Sequence, residues 1–141
     1  MTQIWQITKK GLENGLHVMW TLMKIVVPVY IGVQLLNVSS LLGIIAEWLA
    51  PVLHIIGLPG EAALPLILGG AINIYSALGG IAALSLSAKQ LTIIGGFILV
   101  AHSLVMEAAI IKKAGSKPYL LVVFRIVLAF LVAFSLNSIL K

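Results

Sequence analysis

The chain has 141 residues, 61% of them hydrophobic and 9% charged, with a mean hydropathy of +1.16. Soluble domains are about 45–50% apolar and about 25% charged, so an ordinary globular exterior is excluded and an integral membrane protein is expected. The formal net charge of +5 sits in short clusters beside apolar runs, which points to cytoplasmic loops and lipid headgroups and argues against nucleic-acid binding.

Runs of alternating polarity bounded by turns, the mark of a membrane barrel, are missing. The fold expected is therefore all-α, a polytopic helical membrane protein in one compact unit, with room for roughly four or five elements of about 20 residues. No cysteine is present, which removes thiolate metal sites, haem thioether links and disulfides. There is no Asp either, and the acids are Glu13, Glu47, Glu61 and Glu107. No cleaved signal peptide is expected, because a long polar–apolar mixture precedes the first continuous apolar run.

At 100° per residue, positions 3–19 divide into two faces. Ile4, Trp5, Ile7, Leu12, Leu16, Val18 and Met19 lie on one; Gln3, Gln6, Lys9, Lys10, Glu13, Asn14 and His17 lie on the other. Residues 1–17 are thus expected as an amphipathic helix in the membrane surface, or packed on the protein's own spans. A single membrane domain follows from 18 to 141. Its first span covers 18–37, with Lys24 snorkelling back and Pro28 kinking the helix.

Residues 39–57 are apolar but interrupted by Glu47, Pro51 and His54, and Trp48 suits an interface. Leu58-Pro59-Gly60 is a turn signal. The 61–86 stretch is broken by Gly69-Gly70, Asn73 and Gly79-Gly80, the pattern of a discontinuous or re-entrant hairpin, which survives at membrane depth only where protein shields it or a cavity adjoins it. Ser87-Ala88-Lys89-Gln90 reads as a capping box. The helix it opens runs to Lys112-Lys113, and Pro118 begins a last span ending near Asn137, with Arg125 expected to snorkel toward the preceding loop.

If 39–57 and 61–86 both cross, or form an interfacial helix and a hairpin, Lys9, Lys10, Lys24, Lys112, Lys113, Lys117 and Arg125 share one side, against Lys89 and Lys141. The positive-inside rule then places the amino terminus in the cytoplasm and the carboxyl terminus outside, with an odd number of crossings.

Ala50-Pro51, Gly57-Leu58-Pro59-Gly60-Glu61-Ala62, Gly69-Gly70-Ala71-Ile72-Asn73-Ile74-Tyr75 and Leu86-Ser87-Ala88-Lys89-Gln90 carry a resemblance. Residues from about 41 to 113 resemble the nucleoside-recognition or gate domain of spore maturation proteins A and B, the ferrous iron transporter B core and concentrative nucleoside transporters. The resemblance implies an interfacial helix, a re-entrant hairpin and a following span in a bacterial or archaeal cytoplasmic membrane. It also implies ligand-binding roles for Glu61 and for Asn73-Ile74-Tyr75. Leu78, Gly79 and Gly80 stand where that family carries further polar ligands.

From the residues alone, Asn73 and Ser76 share a helical face, and Tyr75 can stack or hydrogen-bond. Thr92, Gly96, Ser103 and Glu107 form a small and polar stripe flanked by His102. The substrate-binding residues expected are Glu61, Asn73, Tyr75, Ser76, His102, Ser103 and Glu107. The plainer readings are close helix packing at the glycines, an interhelical bond from Asn73, a locally bonded His102, and Glu107 paired with Lys112 or Lys113. Glu47 and His54 fit an interfacial role.

No His-Glu-x-x-His motif or Asp pair occurs, so no catalytic residue, enzyme activity or cofactor is expected. The function expected is a transporter component moving a small polar solute or ion through a midplane site; the alternative is a membrane scaffold or regulatory subunit of the same fold. Partners expected are the lipid bilayer and either a second copy in a homodimer or an oppositely oriented homologous subunit.

Overall fold

A computed structural model describes residues 2–140, and among them no strand forms. The protein is an all-α integral membrane protein. Its helices are α1 (Thr2–Val38), α2 (Leu41–Ile55), α3 (Ala63–Ala71), α4 (Ile74–Ala82), α5 (Ala88–Ala101), α6 (Leu104–Lys113) and α7 (Pro118–Ile139), with a 3₁₀ turn at Gly60–Ala62. Lys141, part of the expected charge asymmetry, lies outside the described residues.

Three segments are long and apolar enough to cross a bilayer: Ile4–Leu36, Ala88–Lys113 (α5 and α6 in tandem) and Pro118–Ile139. The axis of α2 is turned by 96° from the Gly60–Ala71 segment, so α2 lies across the bundle. The chain then enters as α3 and returns as α4. A Cβ on Gly69 would lie 3.0 Å from that of Ala77, and one on Gly80 3.2 Å from the Pro65 Cα. These contacts pair the start of α3 with the end of α4, which defines a hairpin whose tip is Ile72–Asn73. The bend between α2 and α3 has the geometry of a broken span or a re-entrant element, and the candidate crossings number three, or four if α2 and the Gly60–Ala71 segment together make one.

The expected division at residue 17 is corrected. Helix α1 runs unbroken for 37 residues, passing through Pro28 without ending. Nothing before Pro28 breaks a helix strongly: Gly11 and Gly15 each cost only about 1 kcal/mol relative to Ala. The amphipathic segment and the first span are therefore one rod.

Local signals explain the other boundaries. Ser87 caps α5 through both bonds of a capping box, with Gln90 Oε1 accepting from the Ser87 amide at 2.8 Å and Ser87 Oγ accepting from the Gln90 amide at 3.3 Å. Pro118 opens α7, where its missing N–H is harmless. Gly57 takes φ +76°, which reverses the chain after α2 and buries Leu58.

Helix association in lipid depends on close van der Waals packing rather than on hydrophobic transfer. Ile93, Ile94, Phe97, Ile98 and Ala101 of α5 meet Ala129 and Ala133 of α7 in the main core, all buried. Phe97 and Phe130 pack edge to face, with centroids 5.2 Å apart. Helix α4 lies against α1, where a Cβ on Gly79 would stand 2.9 Å from the Val26 carbonyl oxygen.

Candidate functional site: two broken helices that meet

Both interruptions in the apolar helices leave backbone groups that must be satisfied inside the protein. At the hairpin tip, Asn73 adopts extended backbone and caps α4. Its Oδ1 accepts from the Ser76 amide at 2.9 Å and from Ser76 Oγ at 3.2 Å. The Asn73 side chain thus serves the hairpin itself, a local role rather than the interhelical bond weighed above. Ser76 is buried, Asn73 is half-buried and Tyr75 is exposed.

The second interruption divides the Ala88–Lys113 segment near its middle, with α5 contributing 14 residues and α6 contributing 10. His102 is extended, and its Nδ1 bonds the Ile98 carbonyl at 3.1 Å. Ser103 takes φ +53° and caps no backbone N–H with its hydroxyl. A left-handed serine costs roughly 1–2 kcal/mol and must be held by its surroundings. Holding it is the Gly69 carbonyl, which accepts from the Ser103 amide at 2.9 Å. Gly69 also abuts Ala77, so the first turn of α4 and the break in α5–α6 meet across this one residue.

A third group completes the arrangement. Arg125 of α7 donates through Nε to the Val100 carbonyl at 2.6 Å and forms an ion pair with Glu107 of α6. The break in the helix leaves that carbonyl without its usual Leu104 partner, and Arg125 replaces it. This corrects two expectations: Glu107 pairs with Arg125 rather than Lys112 or Lys113, and Arg125 turns inward instead of snorkelling to the loop. Sequence reading missed Arg125 as a member of the site.

Asn73, Ser76, His102, Ser103 and Glu107 therefore belong to one neighbourhood, and Glu61 does not. Glu61 is at the other end of α3, at the hairpin's base, roughly 15 Å away at about 1.5 Å per helical residue. It lines a separate polar recess of ≈ 380 Å³ with Pro59, Ser85 and Gln90. Two members of the stripe on α5–α6 are occupied by packing or local bonds: Gly96 packs against Leu136 and Val132 of α7, and Thr92 bonds the Ala88 carbonyl. The space beside the break is an apolar groove of ≈ 430 Å³, bounded by Val52, Leu66, Gly70, Ala101, Leu104 and Ile126 among others. Glu47, Trp48 and His54 are exposed on α2, as an interfacial helix requires. Among the described residues, no group of three or more His, Cys, Asp or Glu side chains converges to hold a metal ion.

The chain is similar to an uncharacterized membrane protein, YvoD, of Bacillus subtilis (strain 168), with 35% identity over 129 residues. The match takes in 92% of this chain and 41% of that protein, so the chain spans about two fifths of the length of the curated relative it matches. No protein-family model matches the chain. No solved structure matches it either. The relative's name agrees with the apolar helices on one point, that this is an integral membrane protein.

Proposed function

We propose that the protein is a transporter component of gate-domain type, in which the hairpin tip and the α5–α6 break together form one wall of a solute path. The observation that carries this reading is the Ser103–Gly69 hydrogen bond, which joins two interruptions of the backbone inside apolar helices. Discontinuous helices that meet in this way are how transporters place half-helix ends and free backbone groups against a solute. Asn73, Tyr75, Ser76, His102 and Ser103 would face or support the solute, and the Arg125–Glu107 pair would keep the break in shape. The class of solute is a small polar molecule or ion. By the basic-residue bias, the amino terminus and the 114–117 loop face the cytoplasm.

A second reading has its own support. Ser76 and Ser103 are almost fully buried, the recess that Glu61 lines does not include Asn73, and the groove at the break is apolar. Those features fit a membrane scaffold that retains the gate-type fold without transport.

A thermal-shift screen of the purified protein against nucleosides, divalent metal salts and organic anions separates the two, since a ligand that binds only the folded state raises apparent stability. The transporter reading expects a saturable shift with one class, lost in Ser103→Ala and retained in Glu61→Gln. A shift abolished by Glu61→Gln and untouched by Ser103→Ala would move the site to the hairpin base and overturn the proposal. No shift with any class would favour the scaffold.

A further inference from the structure

The unbroken length of α1 leaves a surface that the membrane cannot cover. Thirty-seven residues at about 1.5 Å each make a rod of roughly 55 Å, against a hydrocarbon core of about 30 Å. The carboxyl-terminal half is fixed within the bundle: Val29, Val33 and Leu36 pack with Leu42, Leu64 and Leu68. The other half, from Ile4 to Thr21, is exposed throughout. It carries Lys9, Lys10, Glu13, Asn14 and His17, and the Lys9–Glu13 pair is 3.9 Å apart in the open. Such a segment belongs beyond the hydrocarbon. Because no bend separates it from the span, it cannot lie flat and sink its apolar face into lipid.

A line with heptad spacing runs along that face, apolar at Trp5, Leu12, Met19 and Leu22 and small at Thr8 and Gly15. Trp5, Thr8, Leu12, Gly15, Met19 and Leu22 recur at alternating steps of three and four, as the a and d positions of a heptad do. The series runs on without a phase change into Val26, Val29, Val33 and Leu36, the line that meets α4 and its neighbours inside the molecule. One seam therefore follows the whole rod, partnered along its inner half and unpartnered along its outer half. Positions flanking the outer seam are Ile4, Gly11, Leu16 and Val18, with Lys9 the one charge among them. A side chain at Gly11 or Gly15 would meet nothing within 4 Å, so a second helix can approach closely there.

We propose that the outer half of α1 forms a parallel two-stranded coiled coil with the same segment of a second copy of this chain. The seven-to-two division of basic residues makes all copies insert the same way, so identical rods emerge on one side of the membrane and run parallel. A two-fold axis along the seam then sets each residue against its own counterpart, the commonest form of subunit contact. The inference stands apart from the transport reading, because it uses none of the residues at the two breaks.

The absence of native cysteine makes the test direct. Full-length protein in lipid vesicles carries Leu12→Cys, Thr8→Cys or, off the seam, Asn14→Cys, and is mildly oxidised. Parallel in-register packing brings seam residues within the Cα separation of about 4.4–6.8 Å that a disulfide needs. Leu12→Cys and Thr8→Cys should give a covalent dimer, and Asn14→Cys should not. Adding Met19→Glu to Leu12→Cys sets a charge against its own counterpart at a seam position and should cut the cross-linked fraction roughly tenfold, equivalent to about 1.4 kcal/mol, while the melting temperature of the bundle holds. Equal cross-linking at all three positions, or a monomer by native mass, would overturn the proposal. So would strong quenching of Trp5 by brominated lipid in a background of Trp20→Phe and Trp48→Phe, which would place the segment in the bilayer.

Discussion

Arg125 and Glu107 stand nine residues on either side of Ser116, and the turn between α6 and α7 brings them to one level, where they form an ion pair. The Arg125 side chain is 16% exposed and that of Glu107 is 33%. Removing one partner strands the other in a poorly solvated place, at a cost of about 3 kcal/mol or more. Arg125→Leu and Glu107→Leu should each lower the melting temperature in detergent markedly. The double variant should recover much of the loss, though not the part carried by the Val100 carbonyl. Additive losses in the double variant would show that the two charges act independently.

Ser103 carries the backbone cost of a left-handed conformation, from which glycine is exempt. Ser103→Gly should therefore leave stability unchanged or raise it by up to about 1 kcal/mol, whereas Ser103→Val should lower it. Ser103→Pro also removes the amide that bonds Gly69 and should be the worst of the three. Thermal unfolding followed by helical circular dichroism measures all of them.

Glycines divide by what surrounds them. A Cβ at Gly79 would run into the Val26 carbonyl and the Val29 side chain, and one at Gly43 would meet nothing within 4 Å. Gly79→Ala should destabilise by roughly 1–3 kcal/mol through overpacking. Gly43→Ala should stabilise by about 0.5–1 kcal/mol through helix propensity. Equal effects at the two positions would mean that the α1–α4 contact is not as close as described.

Topology is open to labelling with single cysteines and a membrane-impermeant thiol reagent. Asn14→Cys and Ser116→Cys should react from one side, and Ser39→Cys and Ser85→Cys from the other. Reaction of Asn14→Cys and Ser39→Cys from the same side would contradict α1 as a crossing helix.

Much of the fold was legible in the residues because its punctuation is local. The capping box at Ser87, Pro118 at a helix start and the Leu58-Pro59-Gly60 turn each act within a few positions, and each appears where the pattern put it. Glycine pairs and Asn73 marked the hairpin for the same reason. The end of the amphipathic segment was misread, since a change of polarity along a helix does not break its hydrogen bonds. Glu61 and Asn73 were joined because the resemblance joined them, yet the length of α3 holds them apart. The Arg125–Glu107 pair was missed although its signal was present: opposite charges at equal distances from a short turn between two apolar helices must meet if those helices are antiparallel neighbours.

The same pair bears on how the protein enters the membrane during synthesis. A lone charge within a span opposes insertion, by about 2.5–3.5 kcal/mol at its centre and less toward its ends, and α6 carries Glu107 before α7 and Arg125 have emerged. Delivered one at a time, each helix would meet that barrier alone. Delivered together, as a pre-formed helical hairpin with its charges already mutually neutralised, they meet a much smaller one. The short turn at 114–117 thus favours entry of the second and third spans into lipid as a pair, with the two charges already facing each other.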